Sequence, residues 1–543
     1  MRPSENNFFG RKAVINLLKR RVIDLKEGYR QNVALLGSRF IGKTSLLQKF
    51  VVELEEESVV VIFLDLENND FDYLFARFVG SILYSFSKLQ GLPLFEDITI
   101  LMENTRKFIP ATIEAIKSIQ RSMQDNQFEE SFRKLVSLPE IFTAESGRFC
   151  VIVLDEFQNL EELGIENVFQ ELGKKIMTQK RCIYLVASSF PCLAKKILSE
   201  KLSLLFGNFE ILEIDPFSVE SSREFIDAKL KNLKISDQLR NFLVDFTGSY
   251  PLYLNVILQE LVNLVAVHKQ SEIFIPLMIQ AIENVIFNPW GILSRHFEIS
   301  LSQFISWKNN RSIPALLIAL ADGRYKLKDL TQDLKLNSKV LNQKLNRLIE
   351  AGIIVRNGNN FYFEDKLLRY WVKYIFQRRL RSIDIDLDRQ KDEFHKEIHR
   401  FILNFQMTSQ KDLSSRIMEL LHCFDNEAIS INGRKYKLPI FHEIIPVHVQ
   451  DDPNISFDVI KASSQEEMWF IVLKDDNLCE NDVNAFLTES KKFDQRPSRK
   501  IIISLRELDE NTKIRALQER MWVWNEKEIN TLLSFYDKPF IVK

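Results

Sequence analysis

Cysteine is scarce in this chain and never paired. Cys150, Cys182, Cys192, Cys423 and Cys479 show no CxxC spacing among 543 residues, which excludes a disulfide-framed scaffold and a paired-cysteine zinc site. Cys150 and Cys182 lie in strand-like runs, and the five cysteines read as reduced core thiols. No charge excess exists either: 73 basic against 74 acidic side chains leave −1, so any nucleic-acid surface has to be local. No apolar run approaches the ~20 residues of a membrane span, and MRPSENNFFG lacks the apolar stretch of a signal peptide. These absences predict a soluble, cytoplasmic protein with no membrane partner. What is present is ordinary for globular proteins, with 45% hydrophobic and 27% charged residues. A chain this long exceeds one core, and roughly two to four domains follow. The 42 phenylalanines have no functional reading from sequence.

One stretch organises the chain, QNVALLGSRFIGKTSLLQKF over 31–50. An apolar run, Val33 to Leu36, breaks at Gly37, and Gly42-Lys43-Thr44 then leads into helical spacing at Leu46, Leu47, Phe50, Val51 and Leu54. Strand, glycine loop, Gly-Lys-Thr and helix form the complete Walker A context. Gly37 and Gly42 permit a loop whose N–H groups turn inward around phosphate, beside a helix N-terminus that favours anions. Lys43 is placed to reach the β and γ phosphates of ATP, Thr44 to hold Mg²⁺, and Ser45 completes the nucleotide-binding set. FCVIVLDEFQ over 149–158 is the second anchor, a buried strand ending in Asp155-Glu156. This Walker B pattern gives Asp155 to the metal and Glu156 to the attacking water.

In chain order, 8–28 predict a helix with Val14, Leu18, Val22 and Leu25 on one face and Gly28 as its stop. Val59–Asp65 reads as a buried parallel strand, and about 70–147 as a helical insertion. Cys182–Ala187 is a further strand closed by Ser188-Ser189. The Ser188 hydroxyl there either senses γ-phosphate through the water or caps the next helix. Glu210–Ile214 completes five strands alternating with helices, an α/β fold with a parallel sheet and its site at the strand C-termini. Residues 216–305 are helical and read as a lid. Residues 306–385 read as a winged helix: helices at Ile313–Ala321, Leu327–Leu334 and Ser338–Glu350, then a hairpin around Asn357-Gly358. The third helix presents Lys339, Gln343, Lys344 and Arg347, with Val340, Leu341, Leu345 and Leu348 inward. Within 311–382 there are 15 Lys+Arg against 6 Asp+Glu, a local +9 that suits duplex DNA. Lys339, Lys344 and Arg347 are the candidate DNA contacts; a purely packing role for the module stays open beside that reading. Residues 386–543 predict a final α/β domain, within which His395 and His399 read as surface histidines.

With these residues assembled, the chain resembles the STAND/AAA-like P-loop ATPases common in archaea and some bacteria, most clearly over 8–255. Phe9-Gly10-Arg11 resembles the family's FGR box, which implies that Gly10 and Arg11 lie near the adenine. GSRFIGKTS resembles its GxRRxGKTS loop, and LDEFQ its acidic strand with Gln158. Gly248–Pro251 resembles the GGxP lid motif with Ser249 in place of the second glycine. The likeness implies that Pro251 packs against the base and reports nucleotide state. Phe363-Glu364-Asp365 followed by Leu367-Leu368-Arg369-Tyr370-Trp371 resembles FxDPLLRxW, with Lys366 standing where proline would be. Relatives often carry Gly-Arg before the fifth strand, and here that pair is Gly207-Asn208. The last domain resembles the PD-(D/E)xK nuclease fold through Asp458 and Lys474, but Val472 replaces the second acid, which implies an inactive nuclease. The resemblance thus implies an ATP-binding, Mg²⁺-dependent ATPase of slow turnover acting as a switch on a winged helix and a C-terminal interaction domain. An ATP-gated DNA binder like archaeal origin initiators, or a scaffold with structural nucleotide, are the alternatives; self-association or a protein partner fits each.

Overall fold

Five strands form one parallel sheet, four of them largely buried and the fifth, at an edge, with no fully buried residue. They are β1 (Asn32–Leu36), β2 (Val59–Asp65), β3 (Phe149–Asp155), β4 (Cys182–Ser188) and β5 (Phe209–Glu213), in the order β2-β3-β4-β1-β5. The computed structural model describes residues 8–542 other than 68–69, 203–206, 208, 232, 306–311, 382–386, 432, 448–456, 475–477, 491–496 and 507. It divides into two compact units, Met1–Pro216 with Glu350–Gly352, and Phe217–Ile349 with Ile353–Lys543.

Alternation along the strands separates two faces of the first unit. Val33, Leu35, Val151, Val153, Ile183 and Leu185 pack against α1 (Lys12–Lys26) and α2 (Lys43–Glu53) through Ile15, Leu18, Val22, Leu46 and Phe50. Ile62, Cys150, Ile152, Leu154 and Tyr184 face the other way, onto the helices inserted between β2 and β3. These are α3 (Phe71–Leu89), α4 (Ile98–Thr105), α5 (Pro110–Gln124) and α6 (Phe128–Ser146); α7 (Val168–Thr178) and α8 (Pro191–Lys196) follow later. Much of the phenylalanine finds its use here: Phe86, Phe132, Phe142 and Phe157 are almost fully buried, each contributing about 1.5–3 kcal/mol of burial. Cys150 and Cys182 sit side by side on β3 and β4 as buried thiols, and burial pushes the Cys150 thiol up. Cys192 and Cys479, by contrast, are exposed, so the core-thiol expectation does not extend to them.

In the second unit α9 (Val219–Leu230), α10 (Asp237–Thr247), α11 (Pro251–His268), α12 (Ile275–Ile282) and α13 (Ile292–Ile305) come first, with short β6 (Lys234–Ile235) and β7 (Glu272–Ile273) paired. Among the described residues α11 is long and apolar enough to cross a membrane by length and composition. Its Tyr253, Leu254, Ile257 and Leu261 are nevertheless fully buried in protein. Next come α14 (Ser312–Ala321), α15 (Leu327–Leu334) and α16 (Ser338–Glu350), then an antiparallel hairpin of β8 (Ile354–Asn357) and β9 (Asn360–Phe363). Leu341, Leu345 and Leu348 of α16 are fully buried, but Val340 is 41% exposed, correcting the expectation that it packs inward. The i, i+4, i+7 stripe leaves position 340 about 100° off the buried line.

The chain continues through α17 (Lys366–Trp371), α18 (Gln377–Arg381), α19 (Leu387–Ser409) and α20 (Leu413–Leu421), and then a hairpin of β10 (Glu427–Ile431) and β11 (Arg434–Leu438). A mixed sheet closes the unit: β12 (Glu443–Val447), β13 (Asp458–Ser463), β14 (Met468–Lys474), β15 (Arg499–Ser504) and β16 (Trp522–Trp524). β12, β13 and β14 run antiparallel, while β15 and β16 join in parallel. Its helices are α21 (Glu480–Ser490), α22 (Glu510–Gln518) and α23 (Glu526–Phe535). Two local features stand out. Lys366 Nζ lies 2.5 Å from Asp245 Oδ1, with Asp245 only 1% exposed. The tip of the β8–β9 hairpin is docked on β10: Asn357 donates to Ser430 O at 2.9 Å and accepts from Ser430 N at 2.6 Å. A Cβ on Gly358 (φ 61°) would meet Ala428 O at 1.9 Å, so only glycine fits there.

Candidate functional site

β1 ends at Leu36 between Ser188 of β4 and Glu213 of β5 in register. The chain then enters the loop 37–42. Gly37 is obligatory, because an added Cβ would come within 2.4 Å of Ile214 O, and Gly42 (φ 91°) begins α2 from the left-handed region. The buried Lys43 ammonium lies over this loop, donating to Gly37 O at 2.8 Å, Ser38 O at 2.9 Å and Ser189 Oγ at 2.9 Å. Thr44 is half-buried beside Asp155, while Ser45 is exposed on the first turn of α2.

The acids arrive on neighbouring strands. Asp155 stands directly beside Asp65 in the β2–β3 register and is 1% exposed. Burial pushes its carboxyl up to about 6; the Thr44 hydroxyl bonded to it and the Lys43 ammonium oppose the rise, and Glu156 and Asp65 add to it. Asp155 Oδ1 is buried with no hydrogen-bond partner. A desolvated carboxylate oxygen without a donor, next to a hydroxyl, fits a hard divalent cation such as Mg²⁺. Glu156 occupies the left-handed region at φ 54°, a strained position for a side chain of its size. Its Oε2 accepts from Ser189 N at 2.9 Å and Gln158 Nε2 at 2.8 Å, and its Oε1 accepts from the Ser189 hydroxyl.

Ser189, which sequence reasoning passed over for its neighbour, therefore joins Lys43 to Glu156. Ser188 instead accepts from Phe190 N at 3.0 Å, closing the turn ahead of α8. Both serines were visible at the strand end, but which one faces the loop depends on how the chain turns after β4. Arg11 opens α1 with φ 57°, next to Gly10 at φ 69°. Its guanidinium donates to Ile41 O at 2.9 Å and Asp215 O at 2.7 Å, fastening the loop to the end of β5. Burial holds it down to about 10, against the pull of Asp215. Asn208 lies outside the described residues.

The other candidates fall in the second unit. Pro251 is the first residue of α11, preceded by Gly248 and Ser249 at φ 59° and 63°. Lys339 and Arg347 are exposed on α16 and Lys344 is half-buried. In the last sheet Asp458 pairs with Leu473, so alternation places it on the face opposite Lys474 and Val472. Lys474 Nζ binds Asp482 Oδ2 at 2.7 Å, and Val472 is fully buried.

A glycine loop between β1 and α2, the β2-β3-β4-β1-β5 parallel order and the acids at the end of β3 define a P-loop nucleotide-binding domain. Residues 8–257 match the family described as an ATPase domain predominantly from Archaea. No curated protein matches the chain. Among solved structures, the Walker-type ATPase PABY2304 of Pyrococcus abyssi is similar at TM-score 0.48 and 18% identity, over 68% of this chain and 97% of that one. The ORC2 protein of Aeropyrum pernix, solved with ADPNP and ADP, gives TM-score 0.44 and 13% identity over 70% and 98%. The Holliday junction branch migration motor RuvB of Thermotoga maritima gives 0.34 and 15% over 68% and 98%.

Proposed function

We propose that this protein binds and hydrolyses ATP, slowly, as a nucleotide-controlled switch. The observation that carries the reading is the buried contact running from Lys43 through Ser189 to Glu156. The phosphate-binding cation and the water-activating acid share one hydroxyl, so a ligand that takes either of them disturbs the other. Triphosphate entering the loop draws Lys43 from the carbonyls of Gly37 and Ser38 and loosens its hold on Ser189. Glu156 is then available to accept the proton of an attacking water. Thr44 and Asp155 would hold Mg²⁺, which when bound neutralises charge between the β and γ phosphates. Arg11 keeps the loop seated on β5 throughout.

Phosphate release from the wild type, abolished in Glu156→Gln with ATP still bound, supports hydrolysis. Lys43→Ala loses ATP affinity; unchanged binding sinks the site assignment. The Gly248–Pro251 lid, the winged helix and the C-terminal domain carry the output in this reading, with the nuclease-like fold serving in interaction rather than cleavage.

A second reading, ATP-gated binding of duplex DNA, is favoured by the exposed Lys339 and Arg347 on α16. The docked hairpin tip argues for packing instead, since Asn357 and Gly358 are committed to β10. Salt-dependent DNA affinity that requires ATP and survives Glu156→Gln selects the DNA reading.

A further inference from the structure

We propose that Arg39 is the cation that meets the γ-phosphate during hydrolysis, an arginine supplied from within the phosphate loop itself. This rests on the ATPase reading above. Arg39 lies between the two loop glycines, three residues past the end of β1, and is exposed. Its guanidinium carbon sits 4.7 Å from the centre of the Phe190 ring. Phe190 directly follows Ser189, whose N–H and hydroxyl bind Glu156 and whose oxygen receives Lys43. The arginine is thereby held against the end of β4, on the side of the loop where lysine, serine and glutamate already meet. It is also near enough to Glu67 to be felt by that carboxyl.

Asp65, Glu67, Asp155 and Glu156 crowd this end of the sheet. Lys43 meets the phosphates from inside the loop in the reading above, and Arg11 is bonded to Ile41 and Asp215. Among the described residues Arg39 is the remaining loop cation, and a ring contact holds a guanidinium without using its N–H groups. In the step itself the water oxygen bonds to the γ-phosphorus as the bond to the β–γ bridging oxygen breaks. The electron pair stays on ADP, the water proton passes to Glu156, and inorganic phosphate leaves. Negative charge spreads over the γ oxygens on the way, and a planar fork of donors matches it better than a second point charge.

The test compares wild type, Arg39→Ala and Arg39→Lys by calorimetric affinity for ATP and for ADP, with phosphate release alongside. Arg39→Ala is expected to lower the ATP-to-ADP affinity ratio about tenfold with ADP affinity unchanged, and to cut turnover by about a thousandfold. Arg39→Lys should recover part of the affinity ratio and little of the rate. An unchanged ratio, or turnover within threefold of wild type, overturns the proposal. If the wild type itself fails to bind ATP, the nucleotide reading falls and the proposal falls with it; binding that ignores Arg39 refutes the proposal alone.

Discussion

Asp155→Asn should make the nucleotide-free protein more stable, because the wild type keeps a buried, desolvated carboxyl at the end of β3. That carboxyl is 1% exposed, and burial raises it from the ordinary 3.8 to about 6. Ionising a group so placed costs about 3 kcal/mol. The raised value means the native state holds a proton that the unfolded chain has released between about pH 4 and 6. Stability is therefore lost as pH rises through that window and stays lower above it. Asparagine keeps the shape and removes the charge. The gain is about 3 kcal/mol at pH 8, about half of that near pH 5, and absent below about pH 4. For a unit of roughly 200 residues this is about 6–12 °C in the first thermal transition. Melting curves of both proteins without nucleotide or metal, at pH 5 and pH 8, measure it. An Asp155→Asn protein no more stable than wild type at pH 8, or a difference that ignores pH, would refute the burial argument. Adding ATP and Mg²⁺ should then favour the wild type, whose carboxylate gains a cation.

Three further outcomes follow from positions outside the P-loop. Ser249→Gly relieves a left-handed residue at φ 63° and should stabilise the second unit by about 0.5–1 kcal/mol, read from its denaturation midpoint. Lys366→Met removes the bonded cation of buried Asp245, which keeps the Phe540 N–H at 2.7 Å and the charge of Arg416, and should cost about 1–3 kcal/mol in the denaturation midpoint; no measurable loss shows that those two suffice. Gly358→Ala forces a Cβ into Ala428 O and should undock the hairpin, seen as faster hydrogen exchange at the amides of 428–431 with the P-loop amides unchanged.

Much of the first unit was readable because its signals are local. A glycine loop between an apolar run and a helical period, and a buried strand ending in acid, need no knowledge of partners. Residues 327–334 and 338–350 were also legible as helices, their buried leucines being periodic. What sequence did not show depends on partners distant in the chain. Ser189 acquires its place only when β4 is set between β1 and β3, and nothing in SFP distinguishes it from Ser188. Lys366 looked like a departure from a pattern until Asp245, 121 residues earlier, appeared beside it. Asn357-Gly358 announced a turn, but its second use, gripping Ser430 through a side-chain amide, carries no local mark. Phe75, Phe78, Phe86, Phe132 and Phe142, unreadable one by one, lie on the helix faces that cover one side of the sheet.

The placing of β4 between β1 and β3 has a mechanical consequence. The lysine-bearing loop and the acidic strand are never neighbours, and stand two strand spacings apart, about 10 Å. Thr44 reaches Asp155 directly, but the link from Lys43 to Glu156 crosses the end of the interior strand through Ser189. A slip of β4 by a single residue against either flank would exchange its two faces. Ser189 would turn away from the loop, and Phe190 would carry Arg39 with it. Seven buried residues in a row guard against that slip, since each would have to leave its pocket at once. The placing of Ser189 and Phe190 is thus kept by the same apolar packing that holds the sheet together.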